Sequence, residues 1–237
     1  MADREHVPVP ADPRDWAPMR AYRGRRGFEV KDPLVEPLWS GTRALAHVAI
    51  TPEADPPASV SLIEAGGLEL APELPELAAA IGAGVLALDA IVDGVISRQL
   101  TLDGVGAAAI PEVHSRPTEM FVRSNLDFDV QARGIIEDQA AEGQPVDGFV
   151  AVDLLRIDGT VLLDVPLLER KRLLESVIAP GPLLRLSSHV RPPHHPWIAT
   201  WKSMGFKGGI LKAANSRYQP NDDTVEWQVV ERINRRR

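Results

Sequence analysis

Apolar positions divide this chain into many short runs with strand character and a few with helical spacing. Residues 43–50 are nearly continuously apolar and β-prone, which predicts a buried strand, and the Pro-, Asp- and Glu-rich residues 51–57 predict the turn after it. Residues 60–63 read as the return strand, Ala65, Gly66 and Gly67 as a turn, and 75–82 as a short helix led by Pro72 and Pro75. Residues 84–96 alternate as a buried strand closing at Asp93 and Gly94. A hairpin around Asp103 and Gly104 is expected over 97–109, and a helix carrying Val130, Ile135 and Ile136 over 128–141. Further on, 149–155 predicts a strand, 157–160 its turn, and 166–178 an amphipathic helix built on Leu167, Leu168, Leu173 and Leu174. Residues 183–189 are strand-like, Pro192, Pro193 and Pro196 mark a loop, and 197–204 form a short helix stopped by Gly205. The last strands are 208–212 and 225–230. Strands and helices mix without a βαβ rhythm, so the pattern predicts an α+β fold with largely antiparallel sheets.

The ends lack such periodicity. Residues 1–27 carry four prolines and the cluster Arg20, Arg23, Arg25 and Arg26, and are expected to form an extended arm with Trp16 as its anchor. A short strand is expected at 28–30. The main domain is placed at 28–231 and a basic tail, with Arg235, Arg236 and Arg237, at 232–237. A chain of 237 residues can bury a substantial core. No apolar run approaches the ~20 residues that span a bilayer, and the charged N-terminus is unlike a secretory signal, so the cytoplasm is the expected location. With no cysteine, disulfides, thiolate metal sites and cysteine nucleophiles are excluded. A net charge of −7 argues against a strongly basic nucleic-acid binder, and the terminal arginine clusters read as solvated segments.

Candidate chemistry concentrates in Glu36-Pro37-Leu38-Trp39-Ser40-Gly41-Thr42-Arg43, just ahead of the first strand. This stretch resembles the active-site segment of the ATP-dependent DNA ligases, E-P-K-W-D-G-x-R followed by a β-strand. Leu38 stands where that family has its nucleophilic lysine, and Ser40 where it has aspartate. Later blocks follow in the family's order. Glu64 to Leu68 takes the place of S-R-x-G-K without its serine, arginine or lysine, and Val92-Asp93-Gly94-Val95-Ile96 is similar to L-D-G-E-L, with Val95 for the metal-serving glutamate. The run from Phe149 to Gly159 resembles F-x-x-F-D-L-L-x-L-D-G, with Val152 for the second aromatic. Pro166 to Leu174 looks like P-L-x-E-R-R-x-L-L. Gly205 to Lys212 is similar to G-x-E-G-V-V-A-K with Lys207 for a carboxylate, and Trp227-Gln228-Val229-Val230 resembles W-x-K-x-K without its lysines. The matches cover Glu36 to Val230, and the OB-fold that follows in the family is expected to be absent.

The resemblance implies a ligase-type nucleotidyltransferase (adenylation) domain, two antiparallel sheets with flanking helices and a cleft between them. Adenylate transfer needs an amine to attack the α-phosphate and carboxylates to hold Mg²⁺. Leu38 supplies no amine at the nucleophile's position, and Ser40, Val95 and Lys207 supply no carboxylate at theirs, so the expectation is a catalytically inactive binding or scaffold component, with DNA or a DNA-repair protein as partner. ATP and Mg²⁺ are implied only if activity is retained through a relocated lysine, for which Lys31, Lys207 and Lys212 are the candidates. A third reading is an interaction module with no nucleotide role. The matched positions implied to line the nucleotide and phosphate cleft are Glu36, Trp39, Arg43, Asp93, Phe149, Lys212 and Trp227.

Two other constellations are formed by histidines and by tryptophans. His189, His194 and His195 lie on a proline loop without a carboxylate at ligand spacing, so no metal site is expected. Trp39, Trp197, Trp201 and Trp227 could stack bases, but in a chain so poor in aromatics they read as core anchors.

Overall fold

Period-two alternation along the strands dictates the architecture. In β3 (Thr42–Ile50), Ala44, Ala46 and Val48 face one core while Leu45 faces another. In β2 (Pro33–Pro37) and β9 (Gly209–Ala213), Leu34 and Ile210 join Leu45, while Val35 and Leu211 turn to a third core. A strand apolar on both faces must be covered on both, so the chain stacks into layers. The structure, a computed structural model, describes residues 8–23, 29–98 and 148–231. The expected hairpin at Asp103 and Gly104, the helix at 128–141 and the basic tail lie outside the described residues.

The remaining elements are β1 (Arg20–Tyr22), β4 (Ala58–Glu64), α1 (Pro75–Gly84), β5 (Asp89–Ser97), β6 (Gly148–Ile157) and β7 (Thr160–Val161). They are followed by α2 (Leu167–Val177), β8 (Leu184–Leu186), α3 (His195–Ser203) and β10 (Asp223–Val230). One sheet has the order β1-β10-β9-β2 and the other β4-β3-β5-β6-β7, with β8 added beside β6. Pairing is antiparallel except for β1 with β10 and β8 with β6. The α+β fold with two largely antiparallel sheets and flanking helices is as expected. Its outer core packs α1 and α2 on the larger sheet through Leu77, Ile81, Leu174 and Val177. A middle core lies between the sheets, and α3 covers the smaller sheet with Ile198 and Trp201.

Three differences from the sequence reading have physical causes. Of the strand expected at 28–30, the described residues Glu29 and Val30 are not in a strand, and the strand that follows is β2 at Pro33–Pro37; its terminal prolines are tolerated because β2 is an edge strand. The strand expected at 84–96 begins only at Asp89, because α1 runs to Gly84 and the backbone of Val85 and Leu86 is held by Ile178 and Val177 at the end of α2. Within the arm, β1 is a three-residue strand defined by its partner β10, and Trp16 is buried with its indole N–H donating to the Pro10 carbonyl at 2.9 Å.

Candidate functional site

The faces that the two sheets turn toward each other set charged residues beside apolar ones. Leu34, Leu45, Ile91, Leu155 and Ile210 form the middle core. Two positions from these on the same strand faces stand Glu36 on β2, level with Ile210, Lys212 on β9, level with Leu34, Arg43 on β3, and Asp93 and Asp153 on β5 and β6. Beyond them the sheets part into a cleft of about 560 Å³. Its described lining includes Glu36, Arg43 and Lys212, the indole of Trp39, and an apolar wall of Leu38, Val95, Val152 and Ile210. Residues 18–23, which include β1, close one side.

The charges are held by specific partners. Arg43 makes two hydrogen bonds to Asp93, whose Oδ2 also accepts from the Tyr218 hydroxyl at 2.7 Å. That hydroxyl in turn accepts from the Met19 amide at 2.9 Å, which ties the arm to the floor of the cleft. Arg170 forks onto Asp153 at 2.9 and 2.8 Å, with both side chains fully buried, and donates to the Ser216 carbonyl at 3.1 Å. Oε1 of Glu36 lies 2.9 Å from both Lys171 Nζ and Lys212 Nζ, and Oε2 accepts from the Ser187 hydroxyl. The Lys212 ammonium also sits 4.4 Å from the centre of the Trp227 ring.

These contacts set the protonation states. Burial alone would raise the Glu36 carboxyl, but the two ammonium groups outweigh it and hold it at about 2. Burial lowers Lys212 to about 8; Glu36 opposes that shift while Lys171 and Arg43 add to it. Arg43 is raised despite burial, because Asp93 favours its charged form, and burial together with Asp93 keeps Tyr218 neutral.

The expected site residues separate into three groups. Glu36, Trp39, Arg43 and Lys212 line the cleft, as do Leu38 and Val95 at two of the replaced positions, while Asp93 lies buried beneath Arg43. Ser40 stands on the neighbouring depression with Thr42, Leu74 and Ile96, where its carbonyl accepts from the Ser97 hydroxyl at 2.7 Å. Phe149, Trp227, Lys207 and Lys31 are elsewhere. Phe149 packs in the outer core beneath Gly94, because a bulge in β6 between Ala151 and Asp153 reverses which side chains face the cleft. Trp227 is in the middle core under Lys212, donating to the Ser216 hydroxyl. Lys207, expected in the cleft, is exposed in the connection from α3 to β9, and Lys31 is exposed ahead of β2.

Sequence reasoning left Asp153, Arg170, Lys171, Ser187 and Tyr218 out of the site. A signal for two of them was present: Arg170 and Lys171 fall three and four residues after Leu167 and before Leu174, on the apolar face of α2. Charges at such positions need buried partners.

The donors around the cleft do not suit a magnesium–nucleotide complex. Glu36, Asp93 and Asp153 are each engaged by cations, and no group of three or more metal-ligating residues occurs among the described residues. His194 and His195 pack on each other, with ring centres 4.4 Å apart.

No family model matches the chain. No curated protein matches it either. Solved structures do. The ligase domain of M. tuberculosis LigD is 22% identical with a TM-score of 0.60, over 93% of this chain and 60% of that one. A mycobacterial DNA ligase D complexed with ATP and MES is 22% identical with a TM-score of 0.61, over 94% of this chain and 62% of that one. A Chlorella virus DNA ligase–adenylate is 11% identical with a TM-score of 0.51, over 91% and 67%. The chain thus spans about three fifths of the length of the two mycobacterial structures. Its fold is that of the DNA-ligase nucleotidyltransferase domain.

Proposed function

We propose that this chain is a ligase-like nucleotidyltransferase domain that no longer transfers adenylate and acts by binding, as a cytoplasmic scaffold component beside DNA or a DNA-repair protein. The observation that carries the reading is Leu38. It lines the cleft at the position matching the family's nucleophile, and an alkyl side chain has no electron pair with which to attack phosphorus. The surrounding chemistry supports it. Val95 replaces a carboxylate on the same wall, and the buried carboxylates that remain neutralise the protein's own cations.

A second reading has one observation in its favour. Lys212 is the only lysine among the described residues lining the cleft, and burial lowers it to about 8, which raises its fraction of free amine at neutral pH. Against it, the amine is held 2.9 Å from Glu36. Incubation with ATP and Mg²⁺ followed by intact-mass analysis separates the two. The expected result is no added mass; gain of one AMP, mapped to Lys212, would establish the second reading instead.

A further inference from the structure

The cleft carries an electrostatic imbalance. Arg43 is matched by Asp93, and Arg170 by Asp153, each through a two-point contact. Glu36 alone faces two ammonium groups, both 2.9 Å from the same oxygen, while its other oxygen accepts from Ser187. Among these groups one positive charge is therefore left without a carboxylate, at the foot of an open cleft. Of the two lysines, Lys212 borders the cleft and Lys171, on α2, lies behind it. An unmatched buried cation is costly, and an anion delivered from solution would remove that cost.

The rest of the lining limits what such an anion can be. Leu38, Val95, Val152 and Ile210 form an apolar wall that suits an apolar body and not a polar one. The arginines on the lip, Arg20 and Arg23, are paired with Asp223 and Glu231. Inside, only Lys212 and Arg43 offer positive charge among the described lining residues, too little for the several charges of a triphosphate.

We propose that the cleft binds an amphipathic monoanion: one carboxylate-sized headgroup at Lys212 and Arg43, with an apolar or aromatic body along Leu38, Val95 and Val152. This rests on the reading that the cleft no longer performs adenylate transfer. The charge of Lys212 at neutral pH, already weakened by burial and by Lys171, is reinforced when the headgroup arrives.

The test is calorimetric titration of the full chain at neutral pH with naphthalene-2-carboxylate, its neutral carboxamide and ATP. The carboxylate is expected to saturate a single site, with the carboxamide weaker by about tenfold or more, the scale of one charge-assisted contact. Lys212→Met should weaken the carboxylate toward the affinity of the carboxamide, Arg43 keeping part of the difference, and leave the carboxamide unchanged. Equal binding of acid and amide, no saturable binding of the acid, or tighter binding of ATP would each overturn the proposal. The ligand comparison on the unaltered chain decides the matter even if the variant does not fold. Gain of AMP in the mass assay overturns the reading of the domain as non-transferring, whereas equal binding of acid and amide without AMP gain overturns this inference alone.

Discussion

Replacing Glu36 by Gln tests the buried charge cluster at its centre. Glu36 is 1% exposed and holds both Lys171 and Lys212, so the amide leaves two ammonium groups facing each other without an anion. A carboxyl held at about 2 instead of its ordinary 4.5 has its charged form favoured by about 3 kcal/mol at neutral pH. Removing one partner of a buried ion pair costs ~3–5 kcal/mol in other proteins, so a loss of about 3 kcal/mol is expected. Urea unfolding at pH 7, followed through tryptophan fluorescence, measures it. The double variant Glu36→Gln with Lys212→Met should recover at least about 1 kcal/mol, because only one ammonium is then stranded. The pH dependence is a second check. The Glu36 carboxyl is lowered on folding, so its contribution is complete above 4.5 and disappears as pH falls toward 2; the Gln variant should lack that part of the acid slope. A loss below about 1 kcal/mol, or no recovery in the double variant, would show that the lysines are solvated and that the cluster is not a closed unit.

Lys212→Met alone should leave the protein at least as stable at pH 7, since Glu36 keeps Lys171 as its partner. Between about 8 and 10.5 the unfolded chain holds a proton on Lys212 that the folded chain has released. The parent therefore gains stability from this group as pH rises through that window, and thermal melts should show the gain missing in the variant. Asp153→Asn strands the fully buried Arg170 and should cost ~3–5 kcal/mol. Arg20→Ala breaks only an exposed pair with Asp223 and should change stability by less than about 1 kcal/mol, both read by urea titration. Gly94→Ala would bring a methyl group to 2.2 Å from the Phe149 ring and should cost about 1–3 kcal/mol; Phe149→Leu in the same chain should restore part of the loss in a thermal melt.

Much of this fold is legible in local pattern. The apolar run at 43–50 and the leucine spacing at 166–178 mark β3 and α2 to within a residue or two, because a strand or helix buried on its apolar faces must repeat with its own period. The order of the blocks from Glu36 to Val230 carried the resemblance, and the structural neighbours agree with it in fold. The same period also places Glu36 with Leu34, Lys212 with Ile210 and Arg43 with Leu45, so which face each charge occupies is written in the chain.

What each charge meets is not. Lys171 reaches Glu36 from a helix 135 positions later in the chain, and Tyr218 bonds Asp93 across a separation of 125. No local spacing encodes such distances. The bulge in β6 that turns Phe149 away from the cleft depends on register against β5, and β1 exists only because β10 lies beside it. By itself the sequence determined elements with a strong period of their own, such as β3 and α2, their buried faces and the absence of an amine at residue 38. The packing of two sheets and one helix decided that Glu36 would be shared between two lysines, because only that packing sets how many cations surround one carboxylate.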